Sequence, residues 1–168
     1  MIYLTGMMGS GKSELGSAAA RILALPFYST DEMAERAAGM TITEMFERHG
    51  EEYFRDIESE ILQTVSRMPF GVVSTGGGIV LREQNRELMR STGKVLWLHR
   101  DIAETAATLD PSGRPLLKEG TDALFSIYEQ RLPLYRTADA EFTGSTAEQL
   151  VDAMAKLFYN QSSHGGYL

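Results

Sequence analysis

The chain has no cysteine, so neither a disulfide nor a cysteine-ligated zinc site can be part of it, and a reducing compartment is compatible with that composition. Positive charge is scarce: 16 Lys and Arg stand against 23 Asp and Glu, a formal net charge of −7. That balance weighs against general nucleic-acid binding. It also means that any anionic ligand must be met by a few arginines or lysines gathered in one place. Long apolar runs are missing, so no membrane span is expected. No basic segment with an apolar run behind it precedes the first strand, and a cytoplasmic location is the expectation. The three histidines, His49, His99 and His164, form no spaced cluster, so none is assigned a metal. Repeats and low-complexity linkers are also lacking.

What is present is enough for a core. The 168 residues are 43% hydrophobic and 23% charged, the profile of one globular domain. The stretch around which the rest is organised is M-I-Y-L-T-G-M-M-G-S-G-K-S, residues 1–13. Met1 to Thr5 reads as a buried strand. Gly6 to Ser13 spells G-x-x-x-x-G-K-[ST], and a helical stripe of Leu15, Ala18, Ala19, Ile22 and Leu23 follows. Strand, loop and helix come in the order a phosphate loop needs. Backbone N–H groups of Gly9, Ser10 and Gly11 turn inward and the helix start adds positive potential. Lys12 can reach the outer phosphates of ATP, and the Ser13 hydroxyl can ligate Mg²⁺.

Downstream, apolar strands alternate with helices. Phe27 and Tyr28 read as a second strand, ending at Ser29-Thr30-Asp31. Thr30 or Asp31 is the expected cap of a helix from Glu32 to Ala38. Thr41 to Arg48 and Glu51 to Met68 read as helices, the second with Phe54, Ile57, Ile61, Leu62 and Val65 on one face. Arg55 and Glu58, three apart, face the same neighbour. Gly71 to Thr75 is a third strand running into Gly76, Gly77 and Gly78, where a ligand can approach backbone closely. Lys94 to Leu98 and Ala140 to Thr143 are further strands. Helices are expected at 82–91, 101–109 and 121–135, the last ending near Pro133. Residues 110–120, D-P-S-G-R-P-L-L-K-E-G, have turn chemistry and include Arg114. A final helix is expected from Ser145, with Ser145 and Glu148 as a capping box. The tail, 160–168, lacks periodicity and is expected to be frayed.

The alternation predicts a three-layer α/β/α domain over 1–159 with a five-stranded parallel sheet. Ligands of such sheets bind beyond the strands' C-terminal ends, where the phosphate loop, Asp31 and the triple glycine converge.

Those pieces, G-M-M-G-S-G-K-S, F-Y-S-T-D, the run I-T-E-M-F-E-R-H-G-E-E-Y-F-R-D-I-E, then S-T-G-G-G, G-R-P-L-L and Q-R-L-P-L-Y, resemble the shikimate kinase family. This is a nucleoside-monophosphate-kinase-like branch of the P-loop enzymes. The likeness runs from Met1 to about Tyr135. It implies transfer of the ATP γ-phosphoryl group to the 3-hydroxyl of shikimate with Mg²⁺. By the same resemblance Asp31 sits at the acceptor hydroxyl as base or positioning group, and Lys12 and Arg114 serve the phosphates. Gly9, Ser10, Gly11, Lys12, Ser13, Glu14 and Arg114 would contact ATP, with Ser13 on the metal. Asp31, Arg55, Gly76, Gly77, Gly78 and Arg131 would hold shikimate, Arg55 and Arg131 by its carboxylate. Phe46 and Phe54 would wall its ring. The helices of about 31–68 become the substrate-binding part, and 110–120 a mobile lid. The implied partners are ATP and shikimate alone, on a monomer.

Blander readings stand beside these. Asp31 also reads as a helix cap, Arg55 as a partner of Glu58, Arg131 as a solvated helix residue, Arg114 as an ordinary loop residue. Three positions depart from the family. Its usual Asp-x-Asp after the second strand is here Ser29-x-Asp31, Glu14 replaces a common Thr, and Ala107 replaces an Arg that packs on adenine. Ser29 and Ala107 keep open a related kinase of the gluconate or nucleotide type, and a non-catalytic ligand-binding relative.

Overall fold

The computed structural model describes residues 1–108, 116 and 121–159. The strands are β1 (Ile2–Thr5), β2 (Phe27–Ser29), β3 (Val72–Ser74), β4 (Lys94–Leu98) and β5 (Ala140–Phe142). They form one sheet in the order β2-β3-β1-β4-β5, and every pairing is parallel. The helices are α1 (Lys12–Ile22), α2 (Thr30–Ala38), α3 (Ile42–His49), α4 (Glu51–Ser66), α5 (Glu83–Thr92), α6 (Ile102–Thr108), α7 (Thr121–Tyr135) and α8 (Ala147–Tyr159), with a short 3-10 turn at Ile79–Leu81. The expected five-stranded parallel α/β fold is what the chain adopts.

Both faces of the sheet are covered, which is why its strands read as nearly continuous apolar runs. Side chains alternate between two cores. Ile2, Leu4, Val72, Leu96, Leu98 and Phe142 pack with α1 and α8. Tyr3, Val73, Val95 and Trp97 point the other way, into a larger core with residues of α2, α3, α4, α5 and α7. The parallel register brings Ser29 beside Ser74 and Leu4 beside Ser74, so the C-terminal ends of β2, β3 and β1 share one rim.

Helix boundaries differ from expectation where side chains compete for the caps. α2 begins at Thr30, and its cap is Ser29, whose hydroxyl accepts from Glu32 N at 3.3 Å. Asp31 is therefore inside the first turn rather than the cap. At α8 the cap is Thr146, not Ser145: Gln149 N donates to Thr146 Oγ1, and the Gln149 side chain accepts from the backbone of Ser145 and Thr146. The Ser145–Glu148 pair is one residue out of register with the motif. α7 runs through Pro133 to Tyr135. Proline normally ends a helix by removing one backbone bond, but Tyr135 is wholly buried against the core and holds the last turn in place.

Candidate active site

The phosphate loop is held from beneath and closed from above by its own lysine. Gly9 and Gly11 take left-handed φ values of 80° and 84°, which lets eight residues double back on themselves. Gly11 then opens α1. Lys12 is only 8% exposed. Its ammonium donates to the carbonyls of Gly6 (2.8 Å) and Met7 (2.7 Å) and reaches Ser10 Oγ at 3.3 Å. Ser13 Oγ lies 3.1 Å from Ser74 Oγ, joining the loop to the end of β3. Glu14 is exposed in the first turn of α1, where a carboxylate complements the helix dipole.

Beside the loop opens a cavity of about 310 Å³. Asp31, Arg55, Gly76, Gly77, Gly78 and Arg131, for which the family resemblance implies acceptor binding, all line it. Phe46 and Phe54 form part of its wall, ring centroids 5.2 Å apart. Arg114 and the rest of the expected lid except Leu116 lie outside the described residues, as does the tail 160–168. Leu116 itself lines the cavity.

The cavity's charges are buried in an unusual concentration for an acidic protein. Arg55, Glu58 and Arg131 are 5%, 1% and 4% exposed. Arg55 donates through Nη1 to Glu58 Oε2 at 2.8 Å and through Nε and Nη2 to Glu51 Oε1 at 3.1 and 2.9 Å. Its guanidinium carbon lies 5.0 Å from the Phe54 ring centroid. Burial works against the Arg55 charge, but Glu58 and Glu51 outweigh it and hold the guanidinium firmly protonated. Burial pushes the Glu58 carboxyl above the ordinary carboxylate range. Arg55 opposes that rise and the nearby Asp31 charge adds to it. The other carboxylate oxygen, Glu58 Oε1, is buried with no hydrogen-bond partner among the described residues. Arg55 and Arg131 share the cavity lining with the carboxylates of Asp31, Glu35 and Glu58, so an anion that enters meets two guanidinium forks.

The glycines are required here by space. A side-chain carbon on Gly76 would land between Glu58 Oε1 and Asp31 Oδ1, and one on Gly78 would land on the Arg55 guanidinium. Backbone and charged groups are therefore in direct contact across the cavity floor.

Sequence reasoning passed over several lining residues: Glu35, Ile42 and Thr43. Glu35 also accepts from Ile42 N at 3.0 Å, joining α2 to α3. Glu58 was readable only as an aid to Arg55, yet a signal existed: it occupies the helical stripe of Phe54, Ile61, Leu62 and Val65, and a charge on a buried stripe needs a buried partner.

The shikimate kinase family model matches residues 8–159. The chain belongs to the shikimate kinase family. A relative from Clostridium botulinum (strain Eklund 17B / Type B), named shikimate kinase, is 37% identical over 161 residues, 95% of this chain and 97% of that protein. The solved shikimate kinase of Acinetobacter baumannii, a complex with shikimate, superposes with a TM-score of 0.88 at 31% identity, covering 95% of this chain and 93% of that one. The Aquifex aeolicus shikimate kinase structure gives 0.83 at 34% identity, covering 98% and 99%. Among the described residues no helix is long and apolar enough to cross a membrane.

Proposed function

We propose that this chain transfers the γ-phosphoryl group of ATP to the 3-hydroxyl of shikimate, giving shikimate 3-phosphate and ADP, a step of aromatic amino-acid biosynthesis. The observation that carries this reading is the pairing of a phosphate loop with a cavity holding two buried arginines and Asp31, in a member of this family. Phosphoryl transfer asks for positioning and charge neutralisation more than for covalent help.

Each residue's part follows from its chemistry. Arg55 and Arg131 offer planar forks suited to a carboxylate and orient the acid by it. The peptides of Gly76 to Gly78 press against the acceptor's ring face, with Phe46 and Phe54 on the apolar side. Asp31 aligns the attacking hydroxyl and takes its proton late in the transfer. Gly9, Ser10, Gly11, Ser13 and Glu14 surround the phosphates, and Lys12 leaves its carbonyl partners to neutralise the charge that grows on them. Arg114, by resemblance alone, closes over the phosphates from the 110–120 lid.

Ser13 fits a magnesium role. Its hydroxyl is at the loop mouth, with the Ser74 hydroxyl 3.1 Å away. Among the described residues no trio of His, Asp or Glu forms a ready-made metal cage. Mg²⁺ favours one or two protein oxygens with phosphates and waters making up the rest. When bound, it would screen the β- and γ-phosphate charge during transfer. We further propose a cytoplasmic monomer of one domain, 1–159, with ATP and shikimate as its partners and no nucleic acid or membrane.

ADP release, coupled to a dehydrogenase read-out, tests this with shikimate, gluconate or a nucleoside monophosphate as acceptor. Shikimate-dependent turnover is expected. Turnover with another acceptor only, or shikimate binding with no turnover, would sink the assignment.

A further inference from the structure

Tyr135, the last residue of α7, has no exposed surface. Its hydroxyl donates to the Gly77 carbonyl at 2.6 Å, with Met7 Sδ of the phosphate loop 3.5 Å away. Arg131, one helical turn earlier and itself buried, lies beside the same phenol. Behind the phenol ring Trp97 lies nearly parallel, at 10° and 6.0 Å between centroids. Trp97 stacks in turn on His99 at 4.4 Å, and His99 is bracketed by Glu141 and Tyr128. The phenol therefore cannot swing. It is aimed.

We propose that Tyr135 is a positioning residue of the acceptor site: its hydroxyl, fixed from behind, orients the Gly77–Gly78 peptide. This rests on the acceptor reading given above. A trans peptide sends its carbonyl and the following N–H to opposite sides. Gly77 and Gly78 line the 310 Å³ cavity and Tyr135 does not; it lines a separate small void on the far side, with Thr5 and Val95. With the Gly77 carbonyl held toward Tyr135, the Gly78 N–H faces the cavity, where an acceptor oxygen meets it without reorganisation of the loop. A merely structural tyrosine would lend stability without favouring one substrate over the other.

The test compares the full-length wild type with Tyr135→Phe, which keeps the ring and its stacking. KM for shikimate is expected to rise about tenfold, with kcat and KM for ATP within about twofold. An unchanged shikimate KM overturns the proposal, and so does an equal loss in kcat and in both KM values, the mark of a general packing role. Should the variant not fold, the wild type decides. In protein labelled with ¹⁵N-glycine, the Gly78 amide resonance should move saturably as shikimate is added, and a resonance that stays put overturns the proposal. A wild type that never phosphorylates shikimate strikes at the proposed function instead, and is seen in the same assay before any variant is compared.

Discussion

The phosphate loop is eight consecutive residues, Gly6 to Ser13; Lys12 ties it to itself through Gly6, Met7 and Ser10, and Ser13 ties it to Ser74 on β3. The acceptor cavity beside it, which Met8 of the loop also lines, is assembled from α2, α3, α4, the triple-glycine turn and α7, residues as far apart as Asp31 and Arg131. One half works through backbone, the other through buried charge. A loop of main-chain N–H groups tolerates much change in its surroundings, because every residue supplies a donor. A cavity of paired charges does not, because removing one partner leaves the other desolvated and alone. Donor chemistry of this kind is portable among proteins, whereas acceptor choice is a property of one tertiary arrangement.

The largest expected effect lies where the two halves meet. Asp31→Asn should lower kcat about 10³-fold, within the range for loss of a general base, and leave the shikimate KM within about threefold. Parallel losses in kcat and affinity would place Asp31 with the binding groups and blur the division just drawn. Next is Arg55→Ala, expected to raise the shikimate KM about 10²-fold with little change in KM for ATP, the scale of truncating one side of a buried charge pair. An equal rise in both KM values would mean that the two halves are mechanically one.

These two residues also mark how legible the site was. The phosphate loop could be read outright, since its donors are local and its glycines stand at fixed spacing. So could the parallel sheet, since both cores draw on alternate residues of the same strands. Arg55 and Arg131 were reachable only through resemblance, because nothing local distinguishes a buried arginine from a solvated one. Glu58 was visible as Arg55's neighbour on an apolar stripe, but the closeness of its carboxylate to Asp31 and Gly76 was not. Neither was the role of Ser29 as the cap of α2, since Ser29, Thr30 and Asp31 are all good caps and only the sheet register decides among them. Tyr135 ends the Q-R-L-P-L-Y piece of the resemblance, but nothing in that piece gives its partner, a backbone carbonyl 58 residues away.

A smaller, pH-dependent effect probes the acceptor half alone. Burial raises the Glu58 carboxyl above its ordinary value of 4.5. The folded protein then holds a proton that the unfolded chain has lost, in a window from about pH 4.5 up to the raised value. In that window Glu58's contribution to stability falls as pH rises, by at most about 1.4 kcal/mol per pH unit. Glu58→Gln removes the titration and still accepts from Arg55. Wild-type stability measured against this variant by urea unfolding should therefore decline from pH 5 upward. A gap that grows with pH instead would mean that the Arg55 pairing outweighs burial and keeps Glu58 charged.

The smallest expected change returns to the donor half, at Ser29. The family's usual carboxylate here is replaced by a hydroxyl that accepts from Glu32 N and so is already committed to the start of α2. An aspartate caps as well as a serine and adds charge at a helix N-terminus, worth about 0.3–1 kcal/mol. Ser29→Asp should thus leave the fold intact or slightly more stable in a thermal melt. The new carboxylate would share itself between Glu32 N and the waters around a magnesium ion, and it must sit two residues from Asp31. Those competing demands limit the gain to about a threefold drop in the Mg²⁺ concentration for half-maximal rate, a change of about 0.65 kcal/mol. Calorimetric titration of Mg²⁺·ADP into both proteins separates tighter metal binding from faster chemistry. If neither the titration nor the melt moves, the hydroxyl and its neighbour Ser74 already do for this loop what a carboxylate does elsewhere. The donor half would then depend little on the charge beside it, as main-chain donors allow.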